Sequence, residues 1–281
     1  DLEVLAHTVD TVPSPLVDTQ IACALLGQPL QMGYHAAVHW LFGIEVDKDQ
    51  TRSNWCRRPL TERQRHYAAM DVVLLPEMLA TLLPRLEDKG RLGWMSEDVE
   101  RARRNALRTV EPDQAYLRIS GVGRLDGESR RVLRGLAAWR ERTAQQKNLA
   151  RGFVVPDAAL LNLAKARPAN QQAVHSVEGM HSRVRDRYAS VFIEIVEAAN
   201  SDPSPAPVPK PLDNGQRQQL GEMRNLVKKR SGQLEIEPAL LASRRQLENL
   251  LRSVIGDEEL PERFAGWRKA VITEELLQLL D

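Results

Sequence analysis

The segment SDPSPAPVPKP, residues 201–211, decides how this chain can be divided. Proline stands at 203, 205, 207, 209 and 211. Each ring fixes its own φ and pushes the preceding residue out of the helical region, so the run is an extended, semi-rigid linker. A compact domain does not pass through such a run. A softer boundary lies over 96–117. Ser96 with Glu97 and Asp98 reads as a helix start, an arginine-rich run follows, and Glu111-Pro112-Asp113 ends it. The expected order is a first region over 1–95, a connector over 96–117, a unit over 118–200, the linker over 201–212 and a last unit over 213–281. A chain of 281 residues agrees with two or three domains.

The two units after residue 117 are alike. One contains GFVVPDAALLNLAKARP (152–168) and the other QLEIEPALLASRRQLENL (233–250). Each reads as a helix, a short apolar stretch, a proline and a Leu-rich helix. Pro156 and Pro238 suit a first helical turn, where the missing N–H costs nothing. Val132, Leu136 and Trp139 fall at helical spacing, as do Val191, Ile195 and Val196. Both units are expected to be small and all-helical. Residues 1–95 read as mixed α/β with little sheet. Asp18 caps a helix that Gly27 ends, Met32–Phe42 is a second helix stopped by Gly43, and Thr61 with Gln64 forms a capping box for a third. That third helix kinks before Pro76. Leu16–Val17 and Ile44–Val46 are the strand candidates.

Charge is uneven along the chain. Residues 1–95 carry 9 basic and 12 acidic side chains, residues 96–209 carry 18 and 14, and residues 210–281 carry 12 of each. The basic middle is a weak footprint of nucleic-acid binding, and on charge alone a solvated helix face is the favoured reading. No apolar stretch of about 18–20 residues stands out in the sequence, so no membrane is expected. The N-terminal residues DLEVLAHTVD lack the basic and apolar regions of a signal peptide. Two cysteines, Cys23 and Cys56, make no disulfide framework, which points to a reducing cytoplasm.

Tyr67 and Asp71, in YAAMD, lie four apart on a strong helix and so share a face. Ala68 and Ala69 keep the surface beside them low. Asp1 opens the chain in DLEVL. A pair of carboxylates can hold Mg²⁺, and two such ions stabilise the attacking and leaving oxygens in phosphodiester cleavage. By spacing alone, the pair reads first as a half-buried tyrosine and a surface aspartate.

The surrounding string VDKDQTRSNWCRRPLTERQRHYAAMDVVLL (46–75) resembles the ribonuclease D family of the DEDD exonuclease superfamily, in the subgroup with tyrosine in its last motif. The resemblance rests on Asp47-Lys48, Ser53-x-Trp55, Arg58-Pro59-Leu60-Thr61, Gln64 and Tyr67-Ala68-Ala69-x-Asp71. LVDTQIACALLG (16–27) matches the stretch between the second and third motifs, and DLEVL the end of the second. The two helical units resemble tandem HRDC domains. The resemblance implies an RNase H-like α/β exonuclease region followed by two all-α domains. It implies a 3′→5′ exoribonuclease that trims structured RNA precursors, tRNA 3′ ends among them, and releases 5′-nucleoside monophosphates. By resemblance Asp1 and Asp71 are metal ligands for Mg²⁺ or Mn²⁺, and Tyr67 positions the nucleophilic water. The implied partner is RNA with a single-stranded 3′ end, and the implied state a monomer. Lys48, Arg57, Arg58, Arg63 and Arg65 are candidates for phosphate contacts.

One motif departs from the family. The early Asp-x-Glu does not precede Asp1, so this chain is expected to lack the N-terminal part that carries it. Asp1-Leu2-Glu3 itself fits the second motif better. Two other readings follow: a catalytically incomplete nucleic-acid-binding module acting through its HRDC units, and a DNA-directed exonuclease of the same superfamily.

Other side chains read as structural. His35 and His39 have metal-capable spacing but no third ligand in sequence. Cys23 and Cys56 have no histidine beside them in sequence, and His66 points away from Tyr67. Gly121-Val122-Gly123 is not a dinucleotide loop. Trp139 and Tyr188 lie on apolar stripes, whereas Trp267 suits either packing or base stacking.

Overall fold

A computed structural model describes the chain except residues 1, 10, 48, 108–110, 202–207, 209–210 and 281 and the His7 side chain. The helices in chain order begin with α1 (Leu2–Val9), α2 (Thr19–Leu25), α3 (Tyr34–Phe42), α4 (Glu62–Val73), α5 (Leu75–Asp88) and α6 (Leu92–Leu107). Next come α7 (Gly127–Lys147), α8 (Arg151–Val154), α9 (Asp157–Ala166), α10 (Gln171–His175) and α11 (Ser182–Ser201). The last are α12 (Asn214–Leu234), α13 (Pro238–Leu241), α14 (Arg244–Ile255), a π-helical turn at Lys269–Thr273, and α15 (Glu274–Gln278). The chain forms two compact units, one of residues 1–108 with 212–281 and one of residues 109–211.

In the first unit, α2, α3, α5 and α6 share a core with the C-terminal helices. Leu25, Val38, Met78, Leu82 and Leu86 bury with Leu220, Val227, Leu250 and Phe264. The Arg91 guanidinium ties the two stretches further, donating to the carbonyls of Leu25 and Leu234. Gly27 sits at φ +92, and a Cβ there would meet the Glu235 carbonyl oxygen at 2.6 Å. Only glycine permits that approach. The second unit packs around Leu133, Leu136, Leu160, Leu163 and Phe192.

Local signals act as their chemistry demands. The Asp18 carboxylate accepts from the amides of Gln20 and Ile21, and Gly43 closes α3 in the left-handed region. The chain breaks between α4 and α5 at Leu74, just before Pro76. Three readings need correction. Among the described residues there is no β-strand, so the α/β expectation is not confirmed: Leu16–Val17 and Ile44–Val46 are irregular. A strand exists only with a ladder partner, and none is present for them there. Ser96 does not start a helix. It lies inside α6, where its hydroxyl donates to the Leu92 carbonyl at 3.1 Å, the local bond that lets serine sit mid-helix. Finally, the helical stretch Glu62–Asp88 is long and apolar enough, by length and composition, to cross a membrane. Its Met78, Leu82 and Leu86 bury in the core of the first unit.

Candidate catalytic site

The site is built on α4. Thr61 and Gln64 form the expected capping box. Gln64 does more than cap: it is buried, and its amide donates to the Ser53 hydroxyl (3.0 Å) and the Asn54 carbonyl (3.2 Å). It thus fastens the 50–60 loop onto the first turn of α4. The Trp55 indole donates to the Gln50 carbonyl and packs on Tyr67, with ring centroids 5.8 Å apart. On the same loop Thr51 places its hydroxyl 3.1 Å from the Tyr67 hydroxyl. The loop residues noted in the sequence therefore fix the rotamer of one tyrosine.

Asp71 lies one turn beyond Tyr67 on the half-buried side of α4. Its Oδ1 is buried and has no hydrogen-bond partner among the described residues. The Nε2 of His35 on α3 lies 3.6 Å from that oxygen and 3.3 Å from the Asp47 carbonyl oxygen. The His35 ring also lies 6.1 Å from the Tyr67 ring. Tyr34, the next residue, donates its hydroxyl to the Met70 carbonyl at 2.7 Å. Burial, and to a smaller extent the Asp71 charge, raises the Tyr34 hydroxyl above its ordinary range, so it acts as a donor. A cavity of about 690 Å³ opens beside Tyr67, lined also by Asp47, Asp49, Arg63, His66 and Met70.

A buried carboxylate oxygen without a partner costs free energy unless something satisfies it. It is the hard ligand that Mg²⁺ or Mn²⁺ takes. Among the described residues no three histidine, cysteine, aspartate or glutamate side chains converge on one point. The donor chemistry at Asp71 therefore fits a divalent ion. Asp1 and Lys48 lie outside the described residues.

The remaining candidates fall into place singly. Arg58 turns back onto the carbonyls of Trp55 and Arg57, and Arg65 pairs with Glu62. Arg63 lines the cavity. His66 lines it as well, although its position on the helix predicted that it would point away. His39 faces the exposed Glu45 at 3.5 Å, apart from Asp71's partner His35. Trp139 packs edge-on against Tyr188 and Phe192. Trp267 is buried, stacks on Trp94 with centroids 4.3 Å apart, and donates to Asp98, so it does not offer a face to a base. Sequence reasoning missed His35 and Tyr34 as neighbours of the site. Both sit on a helix 36 residues before Asp71 or nearly so, and no spacing rule reaches that far.

A family described as 3′-5′ exonuclease matches residues 1–87, the HRDC domain family matches 129–196, and the family of the ribonuclease D C-terminal HRDC domain matches 215–276. Over its whole length the chain is 36% identical to ribonuclease D of Pseudomonas paraeruginosa and covers 76% of that protein. It is 33% identical to ribonuclease D of Escherichia coli, again covering 76%. The crystal structure of Escherichia coli RNase D, an exoribonuclease involved in structured RNA processing, matches all of this chain with 76% of its own. The TM-score is 0.86 and the identity 32%.

Proposed function

The chain belongs to the ribonuclease D family of 3′→5′ exoribonucleases, and on that premise we propose that Tyr67 and Asp71 form the reacting end of its active site. RNA is its substrate, and the family implies a divalent metal. The observation that carries the assignment is the buried Asp71 Oδ1, without a hydrogen-bond partner among the described residues, one helical turn from a tyrosine hydroxyl held by Thr51.

In this reading Asp71, with Asp1, holds Mg²⁺ or Mn²⁺. When bound, such an ion supplies an activated water and neutralises charge on the scissile phosphate. The protein's own groups do the positioning. The Tyr67 hydroxyl aligns the attacking water in line with the terminal phosphodiester. Thr51 and Trp55 keep that hydroxyl in one place, so little orientational freedom is lost at the moment of reaction. His35 restrains the Asp71 carboxylate from the α3 side. Arg63, at the cavity wall, meets phosphate.

The substrate is a structured RNA precursor with a single-stranded 3′ end, of which a tRNA precursor is the favoured example. The enzyme is a cytoplasmic monomer. Its regions are the exonuclease part over 1–95, a connector over 96–117, HRDC units over 118–200 and 213–281, and the proline linker between them. The HRDC units add affinity through phosphate contacts. The test is Asp71→Asn in the full chain. Release of 5′-monophosphates from RNA is expected to vanish while RNA binding survives. Unchanged release would sink the site assignment, and equal release from DNA would favour a DNA-directed exonuclease.

A further inference from the structure

The two HRDC units differ where they should be most alike. Helices α7 and α12 are both 21 residues long, and each runs from an aspartate N-cap (Asp126, Asp213) to a left-handed C-cap (Asn148, Glu235). In that common register Lys228 stands at the position of Glu141, and Arg224 at that of Ala137. In the first unit this face is covered. The helix α8 follows the C-cap, Arg151 holds the buried Glu141 through two hydrogen bonds, and Arg140 donates to Val155 and Asp157. In the second unit α13 takes the place of α8, but Pro238 stands where Arg151 does and Lys228 where Glu141 does, so the ion pair that closes this face in the first unit has no counterpart.

Without that pair, the space between α12 and α13 is a groove of about 610 Å³. Arg224, Lys228 and Arg244 stand on it, around an apolar surface of Val227, Pro238, Ala239 and Ala242. No acidic side chain lines it among the described residues. The three cations are exposed, and none of their side chains has a hydrogen bond or ion pair among the described residues. Three like charges facing one concavity repel each other unless an anion joins them. The stretch 210–281 is net neutral, with 12 basic and 12 acidic residues, so summed charge hides this local excess.

We propose that this groove binds a single-stranded segment of the RNA substrate, with Arg224, Lys228 and Arg244 on successive phosphates and a base face against Pro238 and Ala242. The inference rests on the exoribonuclease reading. A polyphosphate strand supplies anions at regular spacing together with flat apolar rings. An acidic peptide supplies the anions without the rings, and the small-residue floor favours the former.

The test measures binding of a fluorescein-labelled 12-nucleotide oligo(A) RNA to the full chain by anisotropy, over a series of salt concentrations and with EDTA present. Two variants are compared with the unmodified chain. One is Arg224→Gln/Lys228→Gln/Arg244→Gln. The other is Gly221→Trp, which fills the groove without changing charge; a Cβ at Gly221 meets nothing within 4 Å. The triple variant is expected to weaken binding about 10-fold and to lower the slope of log K against log salt by about 2, for three phosphates at roughly 0.7 each. Gly221→Trp is expected to weaken binding while keeping the slope. Unchanged binding by the triple variant, beside an unmodified chain that binds, would overturn the groove alone. Loss in the triple variant but not in Gly221→Trp would reduce it to diffuse charge and also overturn it. Displacement of the RNA by oligoglutamate at equal charge would replace the occupant by an acidic peptide. An unmodified chain that binds no RNA would overturn the exoribonuclease reading, and this inference with it.

Discussion

The Tyr34 hydroxyl lies 2.7 Å from the carbonyl oxygen of Met70, the residue before Asp71, and accepts from the Leu74 amide at 3.4 Å. One phenol from α3 thus grips both sides of the break between α4 and α5. Carbonyls at a helix end have no intrahelical partner, so this bond satisfies a group that the break would leave open. It also sets the direction of the last turn of α4, which carries Asp71.

Tyr34→Phe keeps the ring and removes only the grip. Stability is expected to fall by about 1 kcal/mol, the typical net worth of one such bond. On the proposed role of Asp71, kcat falls several-fold while KM hardly moves, because a misplaced ligand affects the transition state more than RNA binding. Urea unfolding and steady-state release of monophosphates measure the two effects. Equal loss in KM and kcat would place Tyr34 outside the reacting end.

Gln64→Ala removes the return half of the capping box, the bond from the Thr61 amide, and the fastening of the 50–60 loop, while the Gln64 amide still donates to Thr61. Each lost hydrogen bond of the buried Gln64 side chain costs about 1 kcal/mol. The larger effect is expected locally. Released from Gln64, the loop no longer holds Thr51 against Tyr67, and exchange of loop amides with deuterium rises well beyond that of α5. Uniform exchange across both helices would contradict the loop-tie role.

The capping box at Thr61 and Gln64, the break before Pro76 and the pairing of Tyr67 with Asp71 on one face were legible because each is set within a few residues. Helix periodicity and capping chemistry are local rules. The approach of His35 and Tyr34 to Asp71 was not legible, because it arises from packing α3 against α4. The sharing of one core between α2, α5 and the helices after the proline linker was equally hidden. Composition divides a chain where the backbone is stiff, but it does not show which pieces bury against each other. Trp267 illustrates the point. In sequence it suited packing or base stacking alike, and the α6 residues Trp94 and Asp98, 169 residues away in the case of Asp98, decide for packing.

The two cysteines separate by burial. Cys23 is buried in the core, and burial, with a smaller contribution from Asp18, pushes its thiol up to about 11. Cys56 is exposed on the loop beside Trp55. The thiolate is the reactive form, so iodoacetamide at neutral pH is expected to label Cys56 and spare Cys23 until the chain is unfolded. Peptide mass spectrometry reads both sites, and labelling of native Cys23 would show that the α2 core opens readily.

Asp98 and Arg268 form the charged centre of the first unit. Arg268 is fully buried and gives two 2.7 Å bonds to the two Asp98 oxygens, and it donates also to the carbonyls of Leu240 and Leu241. Burial alone would push the Asp98 carboxyl up. The hydrogen bonds and charge of Arg268, with Arg101 and Trp267, outweigh it and hold the carboxyl below its ordinary value. A carboxyl depressed on folding stabilises the folded state above its unfolded value, about 3.9, and that stabilisation is lost as pH falls through the lower folded value. Resistance to urea is therefore expected to drop on acidification below about pH 4. Arg268→Met takes the bidentate partner from a buried carboxylate, leaving it Arg101 and Trp267, and costs about 3 kcal/mol at pH 7. Asp98→Leu/Arg268→Met removes both charges, so it is expected to recover much of that loss and to flatten the acid limb. A double variant no more stable than Arg268→Met would mean that the bonds from Arg268 to Leu240 and Leu241, rather than the ion pair, hold the C-terminal helices to α6.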